Sequence, residues 1–280
     1  MKRKCSELKR LSRAALLGQF PLIICGYVIV SALLSITERV FTTPISNMYE
    51  TALLTGNLDS VPSFFEWPVL CYAGLAAMII VGLVSSIFTA GIIKLLLDAS
   101  RGEEVKIGTV FSQFKYRPDR YIILTILIAL IEIIPYAPAI ALLVIASLMG
   151  FEGSKLVITT LVAIALFVIG FIIAVFLALR FALTTYLLVD NENLSTINAL
   201  KDSYHLMSGN VLRLIYIGLS FIPMALLVIL TFGLGALWVQ PYMDCTIVNF
   251  YLDVKGELNE KEEEAKRLEE EMGPSFDTYV

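Results

Sequence analysis

Leu156-Val-Ile-Thr-Thr-Leu-Val-Ala-Ile-Ala-Leu-Phe-Val-Ile-Gly-Phe-Ile-Ile-Ala-Val-Phe-Leu-Ala-Leu179 runs between Lys155 and Arg180 without a charge. It exceeds the roughly 20 apolar residues that carry a helix across a bilayer. Read outward to Leu188, it is one of six such blocks. The others run from about Leu16 to Ile36, Pro68 to Leu97, Tyr121 to Met149, Leu212 to Leu230 and Leu234 to Leu252. The third block is broken by Pro135 and Pro138, and the last two form a pair turning through Thr231-Phe232-Gly233. Composition agrees, with 58% hydrophobic and 16% charged residues among 280 and a mean hydropathy of +0.80, whereas a soluble domain is about a quarter charged. No alternating pattern suggests a barrel, so each block is expected to be a helix that satisfies its own backbone.

Lys and Arg set the expected orientation. Of the chain's 21, only Arg39 and Lys155 fall outside the terminal segments and the even-numbered connections. The positive-inside rule then puts both ends in the cytoplasm. The outer loop from Thr37 to Trp67 carries Glu38, Glu50, Asp59 and Glu66, and Trp67-Pro68 reads as an interfacial anchor. The basic N-terminus leads into a stretch long enough to span and lacks a small-x-small cleavage site, so it reads as a retained first helix. The four cysteines, Cys5, Cys25, Cys71 and Cys245, form no CxxC and indicate neither a disulfide framework nor a metal site.

Before each odd-numbered span lies an amphipathic segment: Leu8, Leu11 and Ala15; Ile107, Val110, Phe111 and Phe114; Ile197, Leu200, Tyr204 and Met207. Each has the spacing of one helix face. In the third, Ser195 reads as an N-cap and Gly209-Asn210 as a stop. The chain thus divides into a membrane domain, 1–254, with three loosely repeated two-span units at 1–97, 98–189 and 190–254, and a charged tail, 255–280. Such segments either lie on anionic lipid or close the bundle as packing collars. The fold class expected is an all-α membrane bundle of six transmembrane helices, N-in and C-in, with cytoplasmic amphipathic interfacial helices and a charged C-terminal helix.

The runs Leu187-Leu-Val-Asp-Asn-Glu-Asn-Leu-Ser195, Ala199-Leu-Lys-Asp-Ser-Tyr-His-Leu-Met-Ser-Gly209, Leu219-Ser-Phe-Ile222 and Gly233-Leu-Gly-Ala-Leu-Trp-Val-Gln-Pro-Tyr242, with Thr246 and Phe250-Tyr251, resemble a bacterial integral-membrane family. It is catalogued as domain of unknown function 975. Leu97-Asp-Ala-Ser-Arg-Gly-Glu103 with Phe111 and Phe114 resembles the same family's first cytoplasmic loop. The likeness covers most of the chain from the second span onward. Pro223-Met224 stands where a Gly-Trp-like pair is expected, and Pro138-Ala139 near an expected Pro-Gly. The resemblance implies a six-helix protein of the bacterial cell membrane with no established activity. A more distant similarity to membrane domains attached to some glycerophosphodiester phosphodiesterases points towards lipids.

No HExxH, Walker loop, GxSxG or Asp-rich cluster occurs, and the single His205 sits in an amphipathic segment, so no cofactor or catalytic set is expected. Ionisable groups at bilayer depth are the better clue. Glu132, just ahead of the two prolines, would bind a cation or relay a proton, or else bridge helices or face Arg180. Arg180 would snorkel from the fourth span, and Asp244 would pair within the last. Gly170, Ala174, Ala178 and Ala182 form a small-residue stripe that would make the fourth span the centre of the bundle. Glu257 to Met272 places opposite charges four apart and reads as a solvated helix, and Thr278-Tyr-Val280 has the form of a carboxyl-terminal peptide ligand. The functions expected are a non-enzymatic scaffold or envelope-homeostasis protein, a small transporter or channel using Glu132, or a lipid-handling protein. Its expected partners are membrane lipids, including anionic ones, and a second copy as a homo-oligomer, but no nucleic acid.

Overall fold

The computed structural model describes residues 2–55 and 69–272, and these are helical apart from short turns, with no strand among them. Trp67-Pro68 and Thr278-Tyr-Val280 lie outside the described residues. The chain begins with α1 (Cys5–Leu16), whose Leu8, Ser12 and Leu16 recur every four residues and are buried while its basic residues face out. Gly18 takes a left-handed φ of +83°, a conformation costly for any residue with a Cβ. There the chain bends by 91° into α2 (Phe20–Thr55). α2 therefore starts after the bend and runs on over more than half of what the hydropathy reads as an outer loop.

α3 (Val69–Arg101) returns beside α2, followed by the short α4 (Thr109–Lys115). α4 tucks under the pair because two glycines admit it. A methyl at Gly91 of α3 would lie 1.9 Å from the Val110 carbonyl oxygen, and one at Gly26 of α2 would lie 3.3 Å from the Val110 side chain. α5 (Asp119–Ile133) passes through a 3₁₀ turn at Ile134–Tyr136 into α6 (Ala137–Leu148). Pro135 and Pro138 each stand in the first turn of a segment, where a missing N–H costs little. The two segments still make one continuous span.

α7 (Gly153–Phe181) continues almost directly into α8 (Thr184–Asp190). Ser195 caps α9 (Thr196–Leu206) by accepting from the Asn198 amide at 3.4 Å, and Gly209 turns the chain at φ +75°. α10 (Val211–Leu219) and α11 (Ile222–Leu230) form a single span, and Phe232 and Gly233 turn it into α12 (Ala236–Lys255). Gly256 ends α12 with φ +95°, and α13 (Glu257–Met272) follows. All three amphipathic segments are thus helices: α1, α4 and α9.

Among the described residues, four helices are long and apolar enough to cross a membrane: Tyr72–Arg101, Asp119–Leu148, Gly153–Asp190 and Val211–Leu230. Counting the bent pair of α1 and α2 makes five. α12 falls short because Gln240, Asp244, Asn249 and Asp253 interrupt it. It is instead wrapped by protein, with Cys245, Val248, Phe250, Tyr251 and Leu252 fully buried. The centre expected on α7 is therefore on α12. On α7 only Ala163, Gly170 and Ala174 are buried, while Val157, Leu161, Ile164 and Phe171 face outward. Its small residues do allow a close approach, but to the proline break: a methyl at Gly170 would lie 2.6 Å from the Pro135 carbonyl oxygen.

The dry core gathers at one end, where Leu95, Leu96 and Leu97 of α3 meet Leu183, Leu188, Met207 and α12. Away from it, Ile140, Leu143, Val144, Val162, Phe167 and Ile172 form a broad exposed apolar surface, of the kind that marks a membrane interface. Gly91→Ala should destabilise the protein by about 1–3 kcal/mol, since backbone must move to accept one methyl. Gly82→Ala on the same helix meets nothing within 4 Å and should be neutral or slightly stabilising. Thermal unfolding of both variants in one detergent checks the contrast.

Candidate functional site

At the dry end the helix termini meet in a polar belt. Asn249 on α12 donates to Ser12 Oγ at 3.1 Å and to the Cys245 carbonyl at 3.0 Å, while Ser12 donates to the Leu8 carbonyl at 2.8 Å. Ser100 of α3 lies 3.4 Å from the same Asn249 amide. These bonds satisfy polar atoms whose orphaning at such burial would cost about 1–3 kcal/mol each.

One turn further along α12, the buried Asp253 pairs with Arg213 and, at 3.4 Å, with Arg3. Arg213 also donates to the Arg3 carbonyl. Arg3 then reaches Glu262 at 2.8 Å and the Leu258 carbonyl at 3.1 Å. The first turn of the chain is thereby tied to α13.

A second hub forms on Arg101. Its Nε and Nη2 grip Glu257 in a fork at 2.8 and 2.7 Å, and Nη2 also reaches Asp190 at 2.7 Å. Tyr251 donates to Asp190 at 2.7 Å, and Lys255 donates to it as well. Planar bidentate pairing is the strongest geometry available to this ion pair. The beginning of α13 is therefore docked, in contrast to the solvated helix that its charge pattern suggests. Its internal pairs Glu257 with Lys261 and Glu262 with Lys266 are present too, at 4.0 and 2.9 Å.

The three intramembrane candidates do not share a site. Arg180 leaves the core, donates to the Tyr204 carbonyl at 3.3 Å and lies over the rings of Phe176 and Tyr204. It makes no ion pair with Glu132 among the described residues. Asp244 accepts from Tyr27 Oη at 2.6 Å and from the Gln240 amide at 3.0 Å, a closed structural pairing between α12 and α2. Glu132 is half-buried on a chamber of about 320 Å³ with Ser86, Thr89, Tyr121, Thr125 and Thr185. His205 is exposed, edge-on to Tyr204.

A larger groove of about 720 Å³ opens at the bend between α1 and α2. Leu16, Leu17, Phe20, Met224, Leu227, Trp238 and Val239 line it, with Arg13 and Tyr242 as its polar members. Hydropathy does not find this groove, because it exists only where the bent N-terminal pair meets the hairpin of α11 and α12. The Arg101 hub was equally hidden, although Arg101, Asp190 and Tyr251 stand in three separate runs that carry the family resemblance.

The fold and these polar clusters define a protein that is all-helical over the described residues, with a broad exposed apolar surface compatible with a membrane location and a tied polar end. The chain belongs to the family described as "Protein of unknown function (DUF975)", which matches residues 1–257. The match includes α1 and α2, beyond the part that the resemblance covers, and ends where α13 begins. Comparison with curated proteins and with solved structures gives no match.

Arg101 holds the Glu257 carboxyl below its usual range, hydrogen bonding being the largest cause. A depressed acid contributes stability that is complete above about pH 5 and fades as pH falls through the lowered value. Protection factors in residues 257–272, referred to the intrinsic exchange rate at each pH, should therefore fall under acid before those of the core do. Arg101→Gln should produce the same loosening at neutral pH, costing about 1–3 kcal/mol.

Proposed function

We propose that the protein is a six-span component of the bacterial cell membrane, with both ends cytoplasmic, and that it binds anionic lipid at the cytoplasmic leaflet. α2, α3, the joined α5 and α6, the joined α7 and α8, the joined α10 and α11, and α12 supply the six spans. The orientation draws support from the belt, which collects Arg3, Arg101, Arg120 and Arg213 at one end, while Arg39 and Lys155 lie in the opposite halves of α2 and α7.

One observation carries the lipid reading. α1 meets α2 at 91°, so when α2 crosses the bilayer α1 lies in the plane of its surface, and the groove at the bend descends from Arg13 towards apolar residues. Arg10 and Arg13 are exposed beside it. A basic mouth over an apolar slot fits an anionic headgroup with its acyl chain below. The other amphipathic helices support this, since Phe111 and Phe114 of α4 and Ile197 of α9 remain exposed close to Lys115 and Lys201. In this reading the protein is not an enzyme. It holds lipid against a fixed bundle and so organises the surrounding membrane.

Trp238 lines the groove and provides the test. In a Trp67→Phe background, bilayers containing bromine-labelled phosphatidylglycerol should quench Trp238 more than those with bromine-labelled phosphatidylcholine. The difference should shrink with salt and vanish in Arg10→Gln/Arg13→Gln. Equal quenching by the two lipids in the protein with both arginines would refute the proposal.

A further inference from the structure

The chamber at Glu132 stands apart from the lipid groove and from both ion-pair hubs. On α5 it is lined by Tyr121, Leu124, Thr125, Ile128, Ala129 and Glu132, a single helix face. At 1.5 Å per residue, that face rises about 16 Å from Tyr121 to Glu132. Across it stand Ser86 and Thr89 of α3 and Thr185 of α8. No lining residue lies beyond Glu132 on α5 or before Ser86 on α3. The chamber therefore occupies only the half of the bundle nearest the polar belt. Past Glu132 come Ile133 and Ile134, both turned outward.

Its lining has one chemical sense. Ser86 donates its hydroxyl proton to the Leu83 carbonyl at 2.7 Å, Thr89 to Ser85 at 3.0 Å and Thr125 to Tyr121 at 2.9 Å. Tyr121 donates to Gln113 Oε1 of α4 at 2.6 Å. With their protons committed elsewhere, these hydroxyls offer the chamber lone pairs. The carboxylate of Glu132 adds only acceptors and meets no hydrogen-bond or ion-pair partner among the described residues. No Lys, Arg, His, Asp or second Glu lines the space, and Tyr121 is its one other titratable group. Leu124, Ile128 and Ala129 fill the remaining wall, so the hydroxyl acceptors line the way to the carboxylate, and a lone carboxylate suits a small cation and repels an anion.

We propose that this chamber is a water-filled inlet reached from the tail side of the bundle, and that Glu132 at its far end binds a small monovalent cation. Hydronium and sodium share the required chemistry. A cation held halfway through the bundle and reached from one side makes the site one half of a transport or sensing path.

The test has two arms. After replacement of the four native cysteines, Thr125→Cys and Glu132→Cys should react with a membrane-impermeant thiol reagent from the same face as Glu264→Cys on the exposed tail, and from that face only. Ile133→Cys should be protected. Using the tail as reference makes the result independent of the orientation proposed above. Protection of Thr125→Cys and Glu132→Cys from both faces, or their labelling from the opposite face, overturns the inlet.

The second arm keeps the native cysteines and follows attachment of a hydrophobic carbodiimide to Glu132 by intact mass, with Glu132→Gln as the blank. Acid speeds carbodiimide attack on any carboxyl, so in sealed vesicles it is acceleration that follows the pH of the tail-side solution alone that names hydronium as the occupant. Slowing by sodium at constant pH and ionic strength names sodium, and about tenfold slowing is expected at about ten times its Kd. A rate indifferent both to sodium and to the tail-side pH overturns the cation site.

Discussion

The forked grip of Arg101 on Glu257, with Asp190 on the same guanidinium, is the contact through which the rest of the polar end is arranged. Arg101 closes α3, Asp190 closes α8 and Glu257 opens α13, so one planar cation fixes three helix termini at once. Tyr251 and Lys255 bring α12 into the same cluster. A half-buried guanidinium needs carboxylates on its several N–H groups, and this demand places α12 beside α3 and α8. Leu95, Leu96 and Leu97 then have a partner surface, and the dry core forms next to the charges.

The second polar layer follows from the first. Once α12 is central, Asn249 and Asp253 are far from solvent and must be paired. α1 supplies Ser12 to one, and Arg3 with Arg213 supply charge to the other. The N-terminal helix therefore belongs to the bundle's closure. Its bend at Gly18 sets it across the ends of the spans, which opens the groove beneath Arg13.

The features legible in the sequence are those that local pattern governs. Apolar runs mark the spans, three-to-four-residue spacing marks α1, α4 and α9, and Ser195, Gly209 and the turn through Phe232 and Gly233 punctuate the chain. What distant partners decide was hidden. Arg101 meets residues 89 and 156 positions away, and nothing in its own neighbourhood announces them. Of the small-residue stripe on α7, Gly170 and Ala174 are buried, against the proline break and the helices on either side of it, while Ala178 is exposed, so the stripe marks the edge of the bundle. Glu132 and Arg180 invite pairing by charge, yet Arg180 stands ten residues beyond Gly170 at the break, about 15 Å along the helix, and its long stem turns to Tyr204. Glu132 is singled out by depth in the sequence, while the chamber around it needs three helices in place.

The tie between Arg3 and the α12–α13 region also has a meaning for biosynthesis. α1 leaves the ribosome well before Asn249, Asp253 and Glu262. Until they arrive, α1 has α3 beside it but not the α12 surface that covers the rest of its apolar stripe, and the membrane surface is the place where such a helix can wait. A late act of assembly is then the docking of α1 onto α12 and α13, and a chain halted before α12 is left as an open bundle with α1 half claimed.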